Sequence, residues 1–355
     1  MKILSVVGAR PQFVKLAPVN LALRATGHEH MIVHTGQHYD PELSGSLFAD
    51  LDIPAPDVNL GIGSASHARQ TALMLEGLEQ VIAEANPDWV LTYGDTNSTL
   101  AAALAAVKMQ FPLAHLEAGL RSGNRLMPEE HNRVVTDHVA DLLLAPTMTA
   151  MRHLADEGLA RRSVNVGDVM TDICFRIRDR VSLAPPPMPD GWTGDERTLL
   201  ATIHRAENTD SAERLSEVLT KLNNLAAPVL LVAHPRRVAK CEKFGIPLQR
   251  ERVTPIPSMT YSQMSYAVVR ARGVITDSGG LQKEAFLLKT PCVTVRTETE
   301  WPETLVDDWN VIDPFLEVDL ETHLARRRTT RDSEPFGSGD AAQRAIAAIE
   351  AATQL

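Results

Sequence analysis

The sequence predicts an α/β protein of two doubly wound parallel-sheet domains facing each other across a cleft, on three observations. The chain has 355 residues, beyond the roughly 250–300 at which one hydrophobic core stops growing and chains divide. Short β-rich runs alternate with longer helical patterns, the rhythm of βαβ units on a parallel sheet. That rhythm restarts after residue 190, behind Leu183-Ala184-Pro185-Pro186-Pro187-Met188-Pro189, a stiff segment that can continue neither a helix nor a central strand.

In the first half, Ile3–Val7 reads as a strand leading into a helix from about Pro11, and Met31–His34 as a second strand. Trp89–Thr92 precedes an Ala-rich helical stretch over Leu100–Val107, Leu113–Leu116 is a further strand, and Pro128 opens a helix. A connecting helix near Thr171–Arg180 leads to the proline segment, which puts the first domain at 1–170 and the second at 171–339. In the second, Thr198–Ile203, Val229–Ala233, Gly273–Thr276 and Cys292–Val295 read as strands. From Asp340 to Leu355, Ala and Ile recur at helical spacing and predict a closing amphipathic helix over 340–355. In such folds ligands bind at the carboxyl ends of the strands.

Composition narrows the function. Against 45 Asp+Glu stand 35 Lys+Arg, a formal net charge of −10, so a broad polyanion-binding face, and with it nucleic acid as a partner, is not expected. Cys174, Cys241 and Cys292 are too far apart for a C-x-x-C pair or a disulfide framework, which fits a reducing compartment. The apolar run before Gly8 is too short for a signal peptide, and no stretch approaches the roughly 18 residues that span a bilayer. A soluble, cytoplasmic protein without a membrane partner is the expectation. No H-E-x-x-H or comparable spacing occurs among the histidines, so no metal is expected. Arg326-Arg327-Arg328 reads as a solvated face.

The first strand ends in Gly8-Ala9-Arg10-Pro11-Gln12. Pro11 suits a helix's first position, and Arg10 and Lys15 lie near that helix's amino end, where free N–H groups and cations make an anion site. The alternative is an ordinary βα turn with two surface cations. It is not the dinucleotide fingerprint, since G-x-G-x-x-G follows no predicted strand. In the second half Gly273–Thr276 runs into Asp277-Ser278-Gly279-Gly280-Leu281-Gln282-Lys283-Glu284. Adjacent glycines at a helix start let backbone approach phosphate closely, and Glu284, one turn after Gly280, is placed for a ligand's hydroxyls. The alternative is a glycine-rich connection without a ligand.

Asp95 and Glu117 each directly follow a strand of the first half, so both lie on one rim of the sheet; Asp95 has the alternative of capping the helix that follows it. Glu129, Arg133 and Asp137 recur every four residues on the helix opened by Pro128, opposite an apolar stripe that includes Val134, Val135 and Val139. That row reads either as a third acidic group or as a solvated salt-bridge ladder, and the neighbouring loop from Gly119 to Arg125 looks built to cover a ligand. His204-Arg205 and His234-Pro235-Arg236 follow strands of the second half, where a histidine beside an arginine can hold a diphosphate and protonate it as it leaves. Gly36-Gln37-His38-Tyr39-Asp40 adds polar loop residues.

Read in order, Gly8-Ala9-Arg10-Pro11, Gly36-Gln37-His38, Gly94-Asp95-Thr96, His115-Leu116-Glu117-Ala118-Gly119-Leu120-Arg121, Met127-Pro128-Glu129-Glu130, His204-Arg205-Ala206-Glu207-Asn208, Asp277-Ser278-Gly279-Gly280 and Thr299-Glu300-Trp301-Pro302-Glu303 resemble the non-hydrolysing UDP-N-acetylglucosamine 2-epimerase family. The resemblance spans nearly the whole chain. It implies two Rossmann-like domains similar to the GT-B glycosyltransferases, a UDP-sugar in the cleft, no cofactor, a tail helix that folds back on the first domain, and a homodimer. It also implies catalytic roles for Asp95, Glu117, Glu129 and His204, and substrate-holding roles for Arg10, Lys15, Arg133, Ser278, Gly279, Gly280 and Glu284.

The implied reaction interconverts UDP-N-acetylglucosamine and UDP-N-acetylmannosamine. No carbonyl sits beside C2 of a 2-acetamido sugar, so direct deprotonation is disfavoured, and elimination of UDP must come first. An anion cradle for the departing diphosphate and carboxylates on different sides of the ring are therefore needed. Two departures bear on the sugar: Trp301 stands where many members carry Arg, and Ala9 and Gln12 differ from the Gly-Thr-Arg-Pro-Glu form. Both look closer to a branch that includes epimerases of C3- and C6-modified sugars such as diacetamido uronic acids, whose carboxylate Arg125 or Arg296 could serve. A hydrolysing 2-epimerase releasing N-acetylmannosamine and UDP is the nearest rival among enzymes, and a GT-B glycosyltransferase, which would have no use for three converging acids, ranks third.

Overall fold

The computed structural model describes residues 1–37, 48, 50–194, 196–324 and 334–354. They form two compact units, Met1–Ile173 with Glu334–Leu355, and Cys174–Ser333. The division falls inside the helix Val169–Leu183.

The first unit holds a parallel sheet in the order β3-β2-β1-β4-β5-β6-β7, made of β1 (Lys2–Val7), β2 (Glu29–His34), β3 (Val58–Asn59), β4 (Trp89–Tyr93), β5 (Leu113–Leu116), β6 (Leu142–Ala145) and β7 (Ser163–Asn165). Every residue of β4, β5 and β6 is buried, as expected when helices cover both faces. One face is covered by Met74, Leu78 and Ile82 of the helix His67–Ala85 and by Ala101, Ala102 and Ala105 of the helix Asn97–Lys108. Alanines there let helix and sheet approach closely. The order reverses between β1 and β4, the switch point at which α/β sheets open to ligands.

The second unit repeats the plan with β10-β9-β8-β11-β12-β13: β8 (Leu199–Thr202), β9 (Val229–Val232), β10 (Val253–Ile256), β11 (Gly273–Thr276), β12 (Cys292–Thr294) and β13 (Asn310–Ile312). Its switch point lies between β8 and β11. Leu215, Val218, Leu219 and Leu222 of the helix Ala212–Asn223 pack on Leu199, Val229 and Leu231 of the sheet.

The closing helix runs over Ala341–Thr353 and buries Ala341, Ala342, Ala345, Ile346 and Ile349 within the first unit. Residues elsewhere in the first unit fasten it by hydrogen bonds or ion pairs: His28, whose Nε2 lies 2.7 Å from Glu350 Oε1; Trp89, whose Nε1 donates to Thr353 Oγ1 at 2.8 Å; Asp172, whose carboxylate accepts from the N–H groups of Ala341 and Ala342 at 3.0 and 2.7 Å; and Asn165, whose carbonyl accepts from Arg344 Nη2 at 2.7 Å. No helix of the described residues is long and apolar enough to cross a membrane.

Five strands escape the sequence reading. β3 and β7 are only two and three residues long, β6 is a bare Leu-Leu-Leu-Ala run that periodicity cannot assign, β10 carries Pro255 and is tolerated because it lies at a sheet edge, and β13 is another three-residue piece. His38, Tyr39, Asp40 and the cluster Arg326-Arg327-Arg328 lie outside the described residues.

Candidate active site

The rim of the first unit gathers the predicted acids. Glu117 follows β5 with φ +73°, a left-handed conformation that a non-glycine residue adopts only when its surroundings impose it. Its carboxylate pairs with the ammonium of Lys15, which reaches it from the helix Arg10–Ala25. Gly94, at φ +63°, carries the chain into Asp95. A Cβ there would stand 3.2 Å from Glu117 Oε2 and 3.3 Å from Lys15 Nζ, so both the turn and the ion pair require glycine. Burial opposes the charge on Lys15, but the carboxylates of Glu117 and Asp95 outweigh it and hold the lysine pKa above its ordinary value.

Asp95 pairs with Arg133, whose other terminal nitrogen donates to Glu130 Oε2 at 2.9 Å. Burial likewise opposes the Arg133 charge, and Asp95, Glu130 and Glu117 raise its pKa in spite of that. The capping alternative for Asp95 is therefore overturned: the cap of the helix Asn97–Lys108 is Thr96. Glu129 is half-buried and has no hydrogen-bond or ion-pair partner among the described residues.

The helix carrying these groups, Pro128–Val139, corrects the predicted pattern. Its buried residues are Glu130, Asn132, Arg133, Thr136 and Asp137, while Val135 is 39% exposed. The polar row faces inward, so it is no solvated ladder. Burying it is tolerable because the charges of Glu130, Arg133 and Asp137 are each paired, although the buried Arg133 Nε has no hydrogen-bond partner among the described residues. Glu130 accepts from the Ser122 and Gly123 N–H groups and from Ser122 Oγ, each at 3.0 Å, and so ties down the loop expected to cover a ligand. Burial raises the Glu130 pKa, but these backbone and hydroxyl donors and Arg133 bring it net below the usual range.

At the start of the helix Arg10–Ala25, Gln12 takes what the anion-site reading needed. Its Oε1 accepts from the Gly8 and Ala9 N–H groups at 2.8 and 3.0 Å. Pro11 has no N–H, so this turn offers a ligand few backbone donors. Nor is Lys15 a surface cation, since its side chain is 11% exposed. The side chain of Arg10 lies outside the described part of the structure.

In the second unit Asp277, fully buried after β11, organises the rim. Its Oδ2 accepts from the His204 and Arg205 N–H groups at 2.9 Å and from Asn208 Nδ2 at 3.1 Å, and its Oδ1 stands 3.1 Å from His204 Nδ1. Burial pushes this carboxyl up, but His204 and those N–H donors hold it below the usual range. The His204 ring stacks on His234 at 4.7 Å between centroids, and burial, His204 and Arg237 depress the His234 pKa. Ser278 caps the helix Gly279–Leu287 by accepting from the Leu281 N–H. The N–H groups of Gly279 and Gly280 have no acceptor among the described residues, and Gly280 is exposed. Glu284, half-buried, follows one turn later.

Two predicted cations are already engaged. Arg236 meets both oxygens of Asp210 at 2.9 and 2.8 Å, and buried Arg296 meets both oxygens of Glu300 at 2.8 and 2.9 Å. Arg296 is thus neutralised and does not suit a substrate carboxylate; Arg125 is exposed. Trp301 lies under Lys283 Nζ at 3.7 Å. Among the described residues no group of three or more His, Cys, Asp or Glu could hold a metal ion. Sequence reasoning passed over Gln12, His115, Glu130 and Asp277. A polar residue inside the otherwise apolar strand Leu113–Leu116, and an acid directly after β11, are the signals that mark His115 and Asp277.

The family model described as UDP-N-acetylglucosamine 2-epimerase matches residues 21–350. The chain is similar to a UDP-N-acetylglucosamine 2-epimerase homolog of Methanococcus maripaludis, with 44% identity over 326 residues and 88% of each chain covered. It is also similar to the UDP-2,3-diacetamido-2,3-dideoxy-D-glucuronate 2-epimerase of Pseudomonas aeruginosa, with 42% identity over 355 residues, 97% of this chain and 98% of that one. Among solved structures, Methanocaldococcus jannaschii UDP-GlcNAc 2-epimerase in complex with UDP-GlcNAc and UDP matches with a TM-score of 0.85 and 34% identity, covering 99% of this chain and 100% of that chain. On the family match and these relatives, the chain belongs to the UDP-N-acetylglucosamine 2-epimerase family.

Proposed function

We propose that this protein is a non-hydrolysing 2-epimerase that interconverts UDP-N-acetylglucosamine and UDP-N-acetylmannosamine. The observation that carries the reading is the gathering of Asp95, Glu117 and Glu129 in one unit, two of them tethered to the cations Arg133 and Lys15. The other unit supplies the free Gly279 and Gly280 N–H groups and the Asp277-oriented His204. The reaction needs both sets.

In the forward step the C1–O bond breaks and its electron pair leaves with the β-phosphate oxygen of UDP. The developing charge at C1 acidifies C2–H, a carboxylate takes that proton, and the electrons of the C2–H bond close the C1–C2 double bond of a glycal. In the return step a second acid protonates C2 from the opposite face and the β-phosphate oxygen re-bonds to C1. Ser278, Gly279, Gly280 and His204 stabilise the departing diphosphate; Arg10, Lys15 and Arg133 hold the substrate and keep the acids oriented; Glu284 binds hydroxyls. Neither step calls for a cofactor. The reading extends to a homodimer acting in the cytoplasm, the first of which light scattering checks by a mass of two chains.

A second reading, epimerisation of a UDP-2,3-diacetamido uronate, is favoured by the 42% identity to the Pseudomonas aeruginosa enzyme. One experiment tests both. In deuterated water, NMR of UDP-N-acetylglucosamine and of the uronate with enzyme should show deuterium entering C2 with a UDP-linked manno product from one of them. Release of free sugar points instead to the hydrolysing reaction, and no exchange from either refutes the proposal.

A further inference from the structure

The turn that carries Glu117 is held from both sides by one buried pair that lies outside the catalytic set. His115, on β5 two residues before Glu117, and Asp137, on the helix Pro128–Val139, are both fully buried. Asp137 Oδ1 stands 2.6 Å from His115 Nδ1. Its Oδ2 accepts from the Gly119 N–H at 3.0 Å, two residues after Glu117, and from Arg121 Nη1 at 2.8 Å. The opposite ring nitrogen, His115 Nε2, lies 2.7 Å from the carbonyl oxygen of Gly94, the residue that turns the chain into Asp95.

A backbone carbonyl only accepts, so Nε2 donates to it. A carboxylate only accepts, so Nδ1 must donate as well. Arg121, the remaining charged partner, is itself bound to Glu157 through Nε and Nη2 at 2.7 and 2.8 Å, and it faces Asp137 rather than the ring. Burial alone would push the Asp137 carboxyl up, but His115 and Arg121 hold it below its ordinary range. The result is a chain of charge that runs inward from half-buried Glu157 and Arg121 to the fully buried Asp137 and His115 and ends on the Gly94 carbonyl. Such a network costs desolvation, and it holds where every member is satisfied.

What this chain fixes is specific. Left-handed φ at a glutamate is unfavourable and persists only when over-determined. Here the constraints fall on residue 115, on the Gly119 amide and on the Gly94 carbonyl, the three backbone points that set where Asp95 and Glu117 stand relative to each other. We propose that His115 and Asp137 are positioning residues for the two acids, required for proton transfer at the sugar and not for holding the nucleotide. The inference rests on the epimerase reading.

The test is Asp137→Asn, with the less disruptive Arg121→Gln alongside. A misplacement of about 1 Å costs on the order of 100-fold in rate. D137N is therefore expected to lose about 100-fold in kcat and R121Q about 10-fold, with KM and UDP affinity within about threefold of wild type. The primary isotope effect with C2-deuterated substrate should rise in both variants as proton transfer becomes limiting. A purely structural lesion would lower UDP binding and kcat together and leave the isotope effect alone. Should D137N fail to fold, R121Q and a downfield-shifted His115 Nδ1 proton in wild type carry the test. An active wild type whose folded variants keep kcat and isotope effect, or a wild type without that proton signal, overturns this inference alone. A wild type that exchanges no deuterium into any UDP-sugar overturns the epimerase reading and this one with it.

Discussion

Asp277→Asn separates orientation from charge at the second unit's rim. Asparagine matches the aspartate in shape, so it can place its oxygen where Oδ2 accepts from the His204 and Arg205 N–H groups and from Asn208. Its NH2 then replaces Oδ1, 3.1 Å from His204 Nδ1. In wild type that nitrogen donates to the carboxylate and leaves Nε2 free to meet a ligand; in the variant the amide donates to Nδ1 and reverses the tautomer. Three donors also exchange a charged acceptor for a neutral one, at about 1 kcal/mol each, for a stability loss of about 2–3 kcal/mol. Swapping a histidine's orienting carboxylate for its amide costs up to about 10⁴ in kcat in catalytic triads, and a loss of about 10²–10⁴ is expected here. Because the native pairing holds the carboxyl below its ordinary range, its stabilisation is present at neutral pH and is lost as pH falls below the unfolded value of about 4. Urea unfolding at pH 7 and at about pH 2.5, below the unfolded value, should therefore show wild type losing more than the variant. Epimerisation followed by NMR gives kcat. A folded variant with wild-type kcat would refute the claim that Asp277 acts through His204.

The amides Asp95→Asn, Glu117→Gln and Glu129→Gln should each lower epimerisation by at least about 100-fold while calorimetry finds UDP affinity within about threefold; parallel loss of UDP binding counts against the proposed division of roles. At Asp172, burial, then Asp168 and Asp340, push the carboxyl from 3.8 up to about 6 in spite of the Ala341 and Ala342 N–H donors. A raised acid favours the fold while protonated, so that stability is present below pH 4 and is lost as pH rises through about 6, a swing on the order of 3 kcal/mol. Asp172→Asn should flatten this part of the unfolding curve, and a variant that keeps the wild-type slope between pH 4 and 6.5 disproves the assignment. Arg125→Ala should reduce turnover of the diacetamido uronate more than that of the neutral sugar; equal effects remove Arg125 as the carboxylate's partner.

The rim was legible for a geometric reason. In a parallel sheet the residue after each strand falls on one edge, so Asp95 after β4, Glu117 after β5, His204 after β8 and Ser278 after β11 could be placed from strand ends alone. Their partners could not. Lys15 and Glu117 are 102 residues apart, Asp95 and Arg133 38, His204 and Asp277 73, and nothing local announces a pair. The same gap applies at Gly8-Ala9-Arg10, where the sequence leaves an anion site and an ordinary βα turn both open: Gln12, which accepts from the Gly8 and Ala9 N–H groups, also reaches Tyr93 O and Thr99 Oγ1, at 2.8 and 3.0 Å. Its amide is wedged between β1 and β4 at the switch point, and the Gly8 and Ala9 N–H groups are used within the fold.

The helix Pro128–Val139 carries the argument furthest, because there the usual inference from pattern runs backwards. An amphipathic stripe is read with its apolar side inward since burial of hydrocarbon is favourable by default. That default fails where buried charged groups find their counter-charges, for then much of the desolvation cost is offset inside the fold. Arg133 finds Asp95 and Glu130, Asp137 finds His115, Arg121 and the Gly119 N–H, and Asn132 finds the Asp95 carbonyl at 2.9 Å. A helix turned this way contributes less to stability than one whose buried face is all hydrocarbon. What it gains is a rigid polar wall against the strand ends that bear Asp95 and Glu117. Glu129 then stands out, since of the helix's three acids it alone is without a partner among the described residues, and under the proposed reaction a proton exchanged with a ligand there would break no pairing of the fold itself.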